Sequence, residues 1–173
     1  MTRIASLLGP KRVTQFVVAL SLVVFMDTEM SQAQTTNITP SGLGTDVRPP
    51  VAGTTSIVGG TTAGTNLFHS FGNFSIGAGE MARFETNSGP ANATVSNILS
   101  RVTGGSSSNI FGTINSQTFF PNANLFLLNP AGFVFGANAT INVGGSFAAS
   151  TADYLKMSDG AKFYVNPDRK SVV

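Results

Sequence analysis

The chain has 173 residues, a formal net charge of +2, no cysteine, one histidine and 14 phenylalanines, and 10 % of its residues are charged against 42 % hydrophobic. The missing cysteines exclude a disulfide framework and a thiolate metal site, and a lone histidine excludes a two-histidine site within one chain. The apolar content excludes a disordered chain, leaving one domain held by packing and backbone pairing.

Lys11-Arg12 precede an apolar run from Phe16 to Met26 and the small-residue tripeptide Ser31-Gln32-Ala33. This order predicts a secretory signal peptide over residues 1–33 with cleavage after Ala33, because the run is shorter than the roughly 20 apolar residues of a spanning helix. The mature chain keeps Arg48, Arg83, Arg101, Lys156, Lys162, Arg169 and Lys170 against Asp46, Glu80, Glu85, Asp153, Asp159 and Asp168, a net charge of +1. A nucleic-acid partner, which calls for a clustered basic face, is not expected.

Residues 34–53 carry Pro40, Pro49 and Pro50 and read as an irregular lead-in or cap. From Thr54 the chain alternates short apolar runs with Gly, Asn and Ser clusters: Ser56-Ile57-Val58, Asn66-Leu67-Phe68, Phe74-Ser75-Ile76, Met81 to Phe84, Asn97-Ile98-Leu99, Asn109-Ile110-Phe111. None of these keeps a helical period, and β-branched and aromatic residues suit strands, so the class is all-β. In the last third the apolar centres fall at Phe126, Val134, Ile141, Phe147, Leu155 and Phe163, so that every third one returns after 21 or 22 residues. Three short strands and three corners per coil produce such a return, each strand stacking about 4.8 Å from its equivalent in the next coil. The reading is a right-handed single-stranded parallel β-helix over residues 54–166; an antiparallel sandwich would space its strands more widely. Residues 167–173 form a polar tail and leave that end without a cap.

The sharpest corner is Asn129-Pro130-Ala131-Gly132, set between the apolar runs Leu125 to Leu128 and Phe133 to Phe135. Proline lacks a backbone N–H, glycine takes positive φ readily, and asparagine can bond nearby backbone, so the chain turns there. Asn138 reads as a second corner residue of the same kind.

Enzyme signatures are weak. Gly77-Ala78-Gly79-Glu80-Met81-Ala82 fits a dinucleotide-binding pattern but lacks the subsequent helix and acidic residue, so a turn is expected, and no cofactor. His69 sits in Asn66 to Phe71, where a hydrogen-bonded strand residue is the ordinary explanation. Glu80 with Glu85, or Asp153 with Asp159, could form an acid/base pair across a corner, but solvated charges are the plainer reading. No catalytic, cofactor-binding or metal residues are assigned. The Asn-x-Ser/Thr sequons at Asn37, Asn73, Asn92 and Asn138 matter only in a cell that glycosylates them.

The segments Asn66 to Phe71, Asn97 to Gly105, Ile110 to Ile114, Asn124 to Gly136 and Gly144 to Ala152 resemble, in order, the filamentous-haemagglutinin type N-terminal secretion domain of two-partner secretion systems. The resemblance implies a right-handed β-helix with N-terminal capping strands and no enzymatic activity. It implies a secreted or surface adhesin-like exoprotein, led by this domain through the periplasm to a cognate outer-membrane β-barrel transporter with periplasmic domains, and seeded in its folding as it emerges. Binding to a host surface or glycan would then fall to a passenger. The resemblance makes the corner Asn129, Pro130, Ala131 and Gly132 the candidate element for transporter recognition. The family's usual corner is Asn-Pro-Asn-Gly; here Ala131 removes the third position's amide, while Asn129, Pro130 and Gly132 keep the features that set the bend. A chain that stops at Val173 reads as a truncation; a gene-model fragment and a small stand-alone member are the alternatives. The competing function is a secreted β-helix carbohydrate-active enzyme or carbohydrate-binding module.

Overall fold

A computed structural model describes residues 34–169; the signal segment and Ala33 lie outside these. The described residues contain strands and turns and no helix. Three coils repeat one itinerary. The first runs through β5 (Asn66–Ser75), an isolated bridge at Ile76, and β6 (Met81–Phe84). The second is β7 (Asn97–Val102), β8 (Ser108–Ile110) and β9 (Thr113–Asn115). The third is β10 (Asn124–Leu128), β11 (Phe133–Phe135) and β12 (Thr140–Asn142), after which β13 (Phe147–Ser150) begins another turn. Equivalent strands pair in parallel along β5-β7-β10-β13, along β8-β11, and along β6-β9-β12. This is a β-solenoid of about three turns.

Before it, β3 (Thr54–Gly59) pairs in parallel with β6, whereas β1 (Asn37–Pro40) and β4 (Thr61–Ala63) run antiparallel to β5 and β2 (Thr45–Val47) runs antiparallel to β3. Their backbone groups are therefore paired at the N-terminal side of both large sheets.

The core follows from the alternation of side chains along each strand. Leu67, Ile98 and Leu125 stack register on register and are buried, and Phe147 packs on them from β13. Opposite them, Ala82, Ile114 and Ile141 form the matching column. Each fully buried Leu, Ile or Phe contributes about 1.5–3 kcal/mol, which no single coil could gather alone. At the start of the first large sheet the amides form a ladder: Asn97 Nδ2 donates to Asn66 Oδ1 at 2.8 Å and Asn124 Nδ2 to Asn97 Oδ1 at 3.0 Å.

The expected return of 21 or 22 residues holds only at one place. Asn66 pairs with Asn97 and Asn97 with Asn124, both longer intervals, and the short one is Leu125 with Phe147. Phe126 is thus one residue out of phase: it pairs with Leu99 and Ala148, and these positions face outward. The returns Val134 to Leu155 and Ile141 to Phe163 fail altogether. Leu155 and Phe163 pair with each other, antiparallel, in a hairpin of β14 (Tyr154–Lys156) and β15 (Lys162–Tyr164). Asp159 closes its turn by accepting from Ala161 N at 2.9 Å. The hairpin lies against the outer side of the solenoid, where Phe163 and Val165 cover Phe68, Leu99 and Leu128. An outer stripe of apolar residues on the first sheet is what draws it there, and the burial of Phe163, with its ring 5.1 Å edge-on from Phe68, fixes it.

Candidate functional site

The corner Asn129–Gly132 closes with a backbone bond from Gly132 N to Asn129 O at 2.9 Å, and Gly132 has φ 101°, the conformation glycine tolerates best. Asn129 is 1 % exposed, and its side chain serves the backbone on two levels. Its Oδ1 accepts from Ala131 N at 3.0 Å, while Nδ2 donates to Ser106 O and to Ser108 Oγ of the preceding coil, both at 2.9 Å. Its own N donates to Ser150 O in β13 at 3.0 Å. Asparagine is needed because one side chain must donate and accept at once. It acts by these bonds and not by taking positive φ, which among the described non-glycine residues is confined to Leu43 and Ala52.

Pro130 and Ala131, by contrast, are exposed. The turn uses only the backbone N–H of Ala131, so alanine at this position leaves the bend complete. Asn129, Pro130 and Ala131 line a cleft of about 510 Å³ together with Val102, Asp153, Val165 and Arg169. The corner is thereby brought beside the segment after the hairpin, a juxtaposition the linear sequence did not announce. Asn138 stands exposed in another turn, closed by Ala139 N to Gly136 O at 3.0 Å.

Arg101 is the residue that sequence reading passed over. It points outward from β7 yet is 5 % exposed. Its Nε donates to Ser70 Oγ at 2.9 Å, its Nη1 to Tyr164 O at 2.8 Å, and its guanidinium lies 5.4 Å from the Phe163 ring centroid. It pins the hairpin to the sheet. The available signal was the one charged residue of the strand Asn97-Ile98-Leu99-Ser100-Arg101-Val102.

The candidate catalytic groups are separately engaged. His69 is 1 % exposed, packs against Phe71 and Phe84, and pairs through Nδ1 with Thr45 Oγ1 at 3.2 Å. Burial pushes its pKa down to about 3, so it is a neutral core residue. Glu80 accepts from the Thr36 hydroxyl and from Thr36 N, bonds that hold it below the usual carboxylate range. Burial pushes Glu85 up, but the Ser56 hydroxyl and Arg83 outweigh it and leave the carboxyl low. Each carboxylate ties segments together, and neither has the raised pKa of a general acid. Among the described residues no three His, Cys, Asp or Glu side chains group as a metal site would require. Gly77 to Ala82 is a turn running into β6.

Comparison with curated proteins returns no match. The family model of the TPS secretion domain matches residues 33–173, which takes in the whole solenoid, the corner and the hairpin. With that match laid over a three-turn β-solenoid whose Asn-Pro-x-Gly corner is tied into the coils on either side, the chain belongs to the TPS secretion domain family, the N-terminal domains of two-partner secretion exoproteins.

Proposed function

We propose that the domain is a non-catalytic export signal, recognised in the periplasm by a cognate outer-membrane transporter, and that the Asn129–Gly132 corner is part of what the transporter reads. The observation that carries this is the division of labour at the corner: Asn129 is buried and fully engaged, whereas Pro130 and Ala131 are held out to solvent. Recognition proceeds by strand addition to an incompletely folded chain, whose unpaired strands supply backbone donors and acceptors. Coil-by-coil folding outside the cell then biases export, since each coil buries its apolar face only against a neighbour. We read β1 and β2 as caps that protect the first coil and the solenoid as right-handed, and we assign residues 1–33 to the signal that delivers the chain to the periplasm. The exported product is a surface or secreted adhesin-like protein.

The test is secretion through a matched transporter. Asn129→Ala combined with Pro130→Ala should lower the exported amount by more than about tenfold, through loss of the Asn129 tie and of recognition together. Unchanged export of the double variant would remove the corner from the mechanism.

A further inference from the structure

The outward face of the β14–β15 hairpin carries both tyrosines of the chain, Tyr154 and Tyr164, opposite each other with ring centroids 5.3 Å apart. Lys156 and Lys162 form the other pair on that face. The Lys162 ammonium lies 4.5 Å from the Tyr154 ring centroid, and the Arg169 guanidinium lies 5.5 Å from that of Tyr164. The remaining described cations are committed elsewhere: Arg48 sits beside Asp46, Arg83 beside Glu85, and Arg101 is buried under the hairpin. Lys156, Lys162 and Arg169 have no carboxylate within ion-pair distance among the described residues. Of the acids closest in sequence, Asp159 closes the turn, Asp153 lines the cleft, and Asp168, next to Arg169 in the chain, makes no ion pair with a described residue.

Two features of this face are unexplained by folding. Like charges directly opposite each other on a two-stranded sheet are destabilising, yet Lys156 and Lys162 are so placed. The apolar side of the hairpin, Leu155 and Phe163, already supplies its attachment, and the exposed Tyr154 ring lies outside it. We propose that this face docks the exported domain on an anionic lipid surface. A flat array of alternate side chains on two strands meets a planar headgroup layer face-on. Phenol rings settle at the headgroup level, and the lysine stems carry their ammonium groups to the phosphates. The repulsion between Lys156 and Lys162 is relieved by the anions they share. This docking is peripheral and electrostatic, and it stands independently of transporter recognition.

The test uses the full chain and its Lys156→Gln/Lys162→Gln variant in a co-sedimentation assay with phosphatidylglycerol vesicles and with phosphatidylcholine vesicles. Any contribution of residues 1–33 is common to both proteins and cancels in their comparison. A juxtamembrane cation gains about 1 kcal/mol from an anionic surface, so the double variant should bind phosphatidylglycerol roughly thirtyfold more weakly at low salt. High salt should erase the difference, and phosphatidylcholine should show none. The variant should unfold at a urea concentration close to that of the parent, because the like-charge pair it loses offsets the lost contact of Lys162 with the Tyr154 ring. Should it unfold earlier, Lys156→Gln alone, at an exposed position, is expected to weaken binding about fivefold. Equal binding of parent and folded variant to phosphatidylglycerol would overturn the proposal. So would capture of a polyglutamate peptide in place of the vesicles, which would make the face a site for acidic polypeptide.

Discussion

Lowering the pH from 6.5 to 4 should remove about 3 kcal/mol of folding stability through His69 alone. The ring is enclosed by Phe71, Phe84 and Thr45, and its folded pKa is pushed down to about 3 from an ordinary value of 6.5. A group depressed in this way binds its proton more readily in the unfolded chain. The stability it permits is therefore complete above 6.5 and declines by about 1.4 kcal/mol per pH unit as the pH falls toward 3. Urea unfolding of the parent and of His69→Gln at each pH checks this, because Glu80 and Glu85 lose their own contributions equally in both. The slope difference between the two proteins should vanish above pH 6.5. Parallel slopes throughout would mean that His69 titrates freely in the folded state.

Gly112→Ala should cost about 3 kcal/mol or more. A Cβ at this corner would stand 2.2 Å from Glu80 O, 2.4 Å from Gly77 O and 2.7 Å from Ile76 Cγ2. Two of these are backbone atoms of the coil below, which carries the parallel ladder and cannot move without breaking bonds such as Thr113 N to Glu80 O at 2.8 Å. The contrast is Gly79, where a Cβ meets nothing within 4 Å and φ is 75°, so that strain is local to the turn. The urea midpoint of Gly112→Ala should therefore fall well below that of Gly79→Ala. Equal midpoints would show that the coils can spread at this corner.

Much of this architecture was legible because solenoid coils repeat their chemistry. The short apolar runs and Gly/Asn corners from Thr54 onward pointed to the all-β class, and the return of apolar centres from Phe126 to Phe163 pointed to the stacking of coil on coil. The coil length was misjudged because the apolar centres were counted as though all faced inward. Phe126 faces outward, and a strand residue one place out of phase changes side. Leu155 and Phe163 kept the period by coincidence, since an outer apolar stripe on the first sheet accepts a hairpin as readily as an inner one accepts a coil. Nothing in the linear pattern separates those two uses of a phenylalanine. The amide ladder was visible as the thrice-repeated Asn before an apolar pair, at Asn66, Asn97 and Asn124, and these are the residues that set the true register.

At the corner, sequence reasoning identified the bend but could not apportion its residues. Asn129, taken as one of four recognition residues, is a buried structural tie whose loss would leave Ser108 Oγ and Ser106 O without their donor. Substituting it removes about 1–3 kcal/mol of stability whatever the transporter does. Export loss in an Asn129 variant therefore mixes folding with recognition, whereas Pro130 and Ala131 are exposed and separable from the tie.

The most direct measurement is accordingly the secretion of Pro130→Ala/Ala131→Asp through its matched transporter, alongside urea unfolding of the same purified variant. Both substitutions keep the backbone N–H at position 131 that bonds Asn129 Oδ1, so the unfolding midpoint should stay close to that of the parent. Recognition at the corner predicts that export falls by more than about tenfold while stability holds. Export at the parental level would contradict it.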